Sequence, residues 1–95
     1  MYELSLESQV KQKEGHAACE LDGEVVLMNL DSGRYFQLKE TGKAIWEMIA
    51  VPKRVQDLCV DLTKRFDVSE SNCQAQTLGF LKALHEQNFI DVGDQ

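Results

Sequence analysis

A strand that becomes a helix across one intervening residue is the tightest constraint in this chain. Gly33-Arg34-Tyr35-Phe36-Gln37-Leu38 reads as a short aromatic strand, Lys39 follows, and Glu40-Thr41-Gly42-Lys43-Ala44-Ile45-Trp46 is already helical. No residues are left over for a loop that would fold across the strand. The strand has no proline and its one charge, Arg34, stands at its start, whereas natural sheet edges usually carry such protection. If this strand lies at an edge, its free backbone donors and acceptors suit an extended peptide. The alternative is that one of Tyr35 and Phe36 is core and the N-terminal arm covers the other.

The flanking patterns build a small sheet around that strand. His16 to Leu21 alternates, and Asp22-Gly23 supplies the pair preferred by a two-residue hairpin with positive φ. Glu24 to Leu30 places Val26, Met28 and Leu30 on one face and Val25 and Leu27 on the other. Asp31-Ser32-Gly33 then predicts a second hairpin turn, with glycine left-handed, and residues 35–38 complete a three-stranded antiparallel meander.

The period next becomes helical. A first helix from Glu40 to about Ala50 buries Ile45, Trp46, Met48 and Ile49 and is stopped by Pro52. Val55, Leu58, Cys59, Leu62 and Phe66 recur at helical spacing in a second helix. Ser69 is a good N-cap for a third, Glu70 suits its dipole, and Asn88 suits a left-handed C-cap. The expected architecture is α+β and winged-helix-like: a three-stranded antiparallel sheet followed by three helices, in the order βββααα. Residues 1–95 form one domain, with residues 1–14 an extended arm and residues 91–95 an acidic tail.

The third helix has a lopsided apolar face. Cys73, Thr77, Phe80 and Leu84 share one arc, while Leu78 and Leu81 widen it to one side only, near Gln74 and His85. That asymmetry suggests a groove; the alternative is that Leu78 packs on a neighbouring helix or sits exposed.

Several function classes lose ground on composition and spacing. Sixteen acidic against ten basic residues give a formal charge of -6, which disfavours a phosphate-binding surface. No segment spans a bilayer and the N-terminus lacks a secretion signal, so the expected location is cytoplasmic and no membrane partner is implied. Cys19, Cys59 and Cys73 are odd in number and widely spaced, the pattern of reduced, buried thiols. His16 and Cys19 project to opposite strand faces, and the other two cysteines lie on apolar helix stripes, a poor zinc set. His85 and Glu86 are adjacent on a helix and do not face each other, so no catalytic pair is visible. Neither a cofactor nor a metal is expected.

Residues 23–92 resemble the PqqD family, small recognition domains for ribosomally made, modified peptides. The resemblance rests on Gly23-Glu24-Val25-Val26-Leu27, on Leu30 to Leu38, and on Thr41-Gly42-Lys43-Ala44-Ile45-Trp46. It continues in Phe80-Leu81-Lys82-Ala83-Leu84 and Phe89-Ile90. It implies a non-catalytic peptide chaperone that binds the leader of a precursor peptide as an added strand. Its second partner would be a modifying enzyme, such as the iron–sulfur radical enzyme of pyrroloquinoline quinone synthesis or a maturase of lasso-peptide or sactipeptide pathways. Carried onto this chain, the peptide-binding residues are Arg34, Tyr35, Phe36, Gln37 and Leu38 on the strand, with Gln74, Leu78, Leu81, Lys82 and His85 on the helix. One departure concerns the first helix: family members often place asparagine before it, and Lys39 cannot accept the capping bond. Thr41 is the fallback cap for a later start.

Two other readings compete. A DNA-binding winged helix would use residues 70–87, where Lys82 is the one base between Glu70 and Glu86. A generic module would recognise a folded partner instead of a peptide.

Overall fold

The computed structural model describes residues 4–93. Nine elements follow in order: β1 (Gln9–Gln12), β2 (His16–Leu21), β3 (Glu24–Asn29), β4 (Tyr35–Leu38), α1 (Glu40–Met48), β5 (Lys53–Arg54), α2 (Val55–Arg65), α3 (Glu70–Glu86) and β6 (Ile90–Gly93). They make two antiparallel sheets, with strand orders β2-β3-β4 and β5-β1-β6. The α+β class holds, and the meander and three helices stand where the sequence places them.

The second sheet corrects the simple βββααα order. The stretch expected as an arm contains β1, which pairs Gln9 with Gly93 and Gln12 with Ile90 on one side, and Val10 with Lys53 on the other. The acidic tail likewise begins as β6, with Val92 buried; residues 1–3 and 94–95 of those two segments lie outside the described residues. The N-terminal segment also completes α2. Val55 N donates to Ser8 O at 2.9 Å and Gln56 N to Leu6 O at 2.9 Å, satisfying donors that open every helix. The arm is therefore spent on α2 and β6, far in pairing terms from β4.

Local chemistry explains the turns. Asp22 (φ 53°) and Gly23 (φ 80°) are both left-handed, as a type I′ hairpin requires. The second hairpin is organised by Asn29. Its Oδ1 accepts from the amides of Asp31 (2.9 Å) and Ser32 (3.1 Å), and its Nδ2 donates to Gln87 O (3.1 Å). This buried amide thus ties the turn before β4 to the end of α3. Ser69 caps α3 by accepting from Asn72 N, and Asn88 (φ 63°) closes it. Lys39 gives α1 no side-chain cap, and the helix starts at Glu40 with φ 44°, so Thr41 is not its cap.

The core lies between the meander and the helices. Leu27 and Leu38 from the sheet meet Ile45, Ile49, Leu58, Leu62, Leu81, Leu84 and Phe89, all essentially inaccessible. Each such side chain contributes about 1.5–3 kcal/mol on burial. Cys59 and Cys73 are buried here, and burial pushes the Cys59 thiol up. Cys19 departs from the expectation of three buried thiols. It faces outward from β2, opposite Val26, on a sheet face that no helix covers.

Candidate functional site

β4 ends its sheet: it pairs with β3 and, among the described residues, with nothing on its other side. The ladder fixes which backbone groups are open. Asn29 N donates to Arg34 O at 2.8 Å, and the register then runs Met28↔Tyr35, Leu27↔Phe36, Val26↔Gln37 and Val25↔Leu38. Hydrogen-bonded and non-bonded pairs alternate in an antiparallel ladder. Phe36 and Leu38 therefore bond to β3, while the N–H and C=O of Tyr35 and Gln37 point away from it.

The side chains of the strand divide the same way. Arg34, Phe36 and Leu38 lie on the helix-facing side of the sheet. Phe36 is half-buried with its ring edge-on to Phe89, centroids 5.5 Å apart, and Leu38 is buried. Tyr35 and Gln37 lie on the other face, where Tyr35 is 68% exposed and the Gln37 amide donates to the Glu24 carboxylate. An added strand would meet open backbone at residues 35 and 37 and a row of Arg34, Phe36 and Leu38 side chains beneath it.

The wall opposite that row is one flank of α3. Arg34 Nη1 donates to Gln87 Oε1 at 3.2 Å, and Gly33, Arg34, Tyr35, Phe36 and Gln87 line a shallow concavity of about 440 Å³. Seven residues earlier, the Phe80 ring packs at the start of α1. A β-carbon on Gly42 would lie 3.4 Å from that ring and 3.9 Å from Leu38 Cβ. So α3 runs alongside β4 with Gln87 near Arg34 and Phe80 near Leu38. Gln76, Phe80, Ala83 and Gln87 form this flank at helical spacing. Beyond Phe80 the groove opens on a deeper cavity of about 420 Å³, lined by Gly42, Ile45, Phe66, Val68, Thr77 and Phe80 among others.

The structure thus brings the five strand residues together with a helix flank, but not the flank read from the sequence. Leu81 is fully buried and cannot line a surface groove. Gln74, Leu78, Lys82 and His85 lie about 120–160° around the helix from Phe80, at about 100° per residue, and so turn away from β4. Leu78 is half-buried against the core, and Lys82 is exposed. Sequence reasoning missed Phe80, Ala83 and Gln87 on the wall and Asn29 behind it. The spacing 76-80-83-87 was the available signal, hidden by two glutamines.

The sheet has a second open edge, at β2, and it is guarded. Glu20 accepts from Lys43 at 2.7 Å across that edge, an ion pair that raises the Lys43 pKa, and His16 packs edge-on to Trp46. Charges of this kind blunt strand addition; β4 has no equivalent along residues 35–38.

Among the described residues, no group of three or more His, Cys, Asp or Glu is placed to hold a metal ion. No helix among them is long and apolar enough to cross a membrane.

A small domain with an open strand beside a helix-walled groove belongs to the class of strand-adding peptide binders. The chain is a member of the coenzyme PQQ synthesis protein D (PqqD) family, whose profile matches residues 24–90. It is similar in structure to TbiB1 in complex with the TbiA(beta) leader peptide: TM-score 0.78, 26% identity, covering 85% of this chain and 94% of that one. It also shares the fold of a lasso peptide synthetase B1 complexed with the leader peptide: TM-score 0.76, 20% identity, covering 86% of this chain and 96% of that one. No curated protein matches the chain.

Proposed function

We propose that this domain is a non-catalytic recognition element that binds the leader of a ribosomally made precursor peptide by strand addition at β4 and presents it to a modifying enzyme. The observation that carries the reading is the unpaired backbone of Tyr35 and Gln37 beside the groove between β4 and α3. Membership of the PqqD family supports it, as does likeness to a protein of similar size whose structure holds a leader peptide. Backbone pairing supplies affinity that tolerates sequence, and the groove selects among side chains. Ordering a flexible leader costs about 2–5 kcal/mol, so moderate affinity and ready release are the expected regime.

The test is an NMR titration of isotope-labelled protein with the leader segment of the short peptide encoded beside this chain's gene. Shifts at residues 34–38 together with Phe80, Ala83 and Gln87 are expected. Shifts confined to β2, α2 or the exposed Lys82 face of α3 would contradict it.

A further inference from the structure

The groove is chemically graded along its length, and the gradient specifies the peptide it suits. The helix-facing side chains of β4 occur at alternate positions: Arg34, then Phe36, then Leu38. Opposite them stand Gln87 at the Arg34 end and Phe80 at the Leu38 end. One end therefore offers a guanidinium, the middle an aromatic edge against Phe89, and the far end an apolar wall opening into the cavity behind Phe80.

The charge at the first end is available. Arg34 is exposed, and its partner here is the neutral Gln87 amide, with no carboxylate among its contacts. The cations nearest the site are otherwise occupied or averted. Lys39 pairs with Glu24 at 3.6 Å and Lys43 with Glu20 at 2.7 Å, while Lys82 projects from the far side of α3. On a chain of net charge -6, an acidic peptide meets general repulsion everywhere except where a free cation is held. A peptide carboxylate beside Arg34 would replace the Gln87 carbonyl as acceptor, exchanging a neutral hydrogen bond for a charge-assisted one.

We infer that the leader bound at this site carries an acidic residue at the Arg34 end, followed at alternate positions toward the Leu38 end by two apolar residues. The period of two follows from strand geometry: only every second side chain of the added strand points into the groove. Arg34 is thus the residue that sets register. Without it, a strand slipped by two residues would find similar apolar surroundings; with it, slippage strands the carboxylate against Phe36. This inference rests on the strand-addition reading above.

The experiment is a display selection of random 15-residue peptides on the immobilised full chain, run in parallel on Arg34→Glu and Arg34→Gln. For the wild type, enriched peptides should share two apolar residues at alternate positions and Asp or Glu two positions beyond them. Arg34→Gln should lose the acidic preference while keeping the apolar pair, and Arg34→Glu should replace it with Lys or Arg. Wild-type peptides with the acid should bind Arg34→Gln about fivefold more weakly, the scale of one partly exposed ion pair. An apolar alternating pattern with no acidic preference, or one indifferent to both variants, overturns the inference and leaves strand addition standing. Enrichment of peptides with no alternating pattern overturns strand addition itself, and the inference with it.

Discussion

Proline at Gln37 separates binding from folding more cleanly than any side-chain truncation. The Gln37 N–H faces away from β3 in the ladder, so its loss removes nothing that holds the hairpin. Edge strands tolerate proline where the missing donor faced solvent. The bound peptide, however, loses the hydrogen bond from that N–H, about 0.5–1.5 kcal/mol. The ring also obstructs approach to the spacing of about 4.8 Å that pairing demands, which weakens a neighbouring bond. Together these amount to about 1–3 kcal/mol, or about 5- to 150-fold in Kd. Phe36→Pro is the matched control one residue away. It removes a donor that bonds to β3 and the ring that packs on Phe89, a stability cost of about 3 kcal/mol or more. In a domain of this size that lowers Tm by about 12 °C or more. The assay is fluorescence anisotropy with a labelled peptide recovered from the selection, alongside thermal melts by circular dichroism. If Gln37→Pro stays folded and binds like the wild type, or if the two prolines behave alike, the alternation assigned to β4 is wrong.

Three further outcomes follow from the packing. Leu81→Ala should destabilise by about 2–4 kcal/mol in denaturant titration, because a fully buried leucine leaves a cavity, whereas Leu78→Asp should change peptide affinity by less than about twofold because it faces away from β4. Ser69→Ala removes the oxygen that accepts from Asn72 N and should cost about 1 kcal/mol, read as a shift in denaturation midpoint at constant m-value. Lys53 Nζ lies 2.6 Å from Asp61 Oδ2 and holds that carboxyl below its ordinary pKa. A depressed carboxylate stabilises the fold above its unfolded pKa and loses that contribution as pH falls through the lower folded value. Lys53→Met should therefore flatten the acid limb of the stability profile and leave the neutral region nearly unchanged.

The elements nearest the site were legible because their signals are local. Asp22-Gly23, Gly33, Ser69 and Asn88 each demand a particular backbone state, and residues 16–38 alternate strongly enough to fix three strands. The second sheet was not legible, because its pairing joins Gln9 to Gly93 through strands of two to four residues. Such short strands carry too few residues for a period, and tertiary pairing alone defines them. The strand half of the site was readable as an absence of edge protection. The helix half was not: apolarity pointed to Leu78 and Leu81, but one is turned aside and the other is core. A groove wall is set by which flank of α3 meets β4, and that follows from Asn29, Gln87 and the close approach of Phe80 at Gly42. Cys19 shows the same limit, since alternation alone does not say which face of a sheet receives the helices.

Amide hydrogen exchange on the peptide complex tests the central claim most directly. The amides of Tyr35 and Gln37, open in the free chain, should slow by about tenfold or more when peptide is bound, while Phe36 and Leu38, already bonded to β3, change little. Protection that appears instead at Ala18 and Glu20 on β2, or spreads evenly over all four β4 amides, would contradict strand addition at this edge.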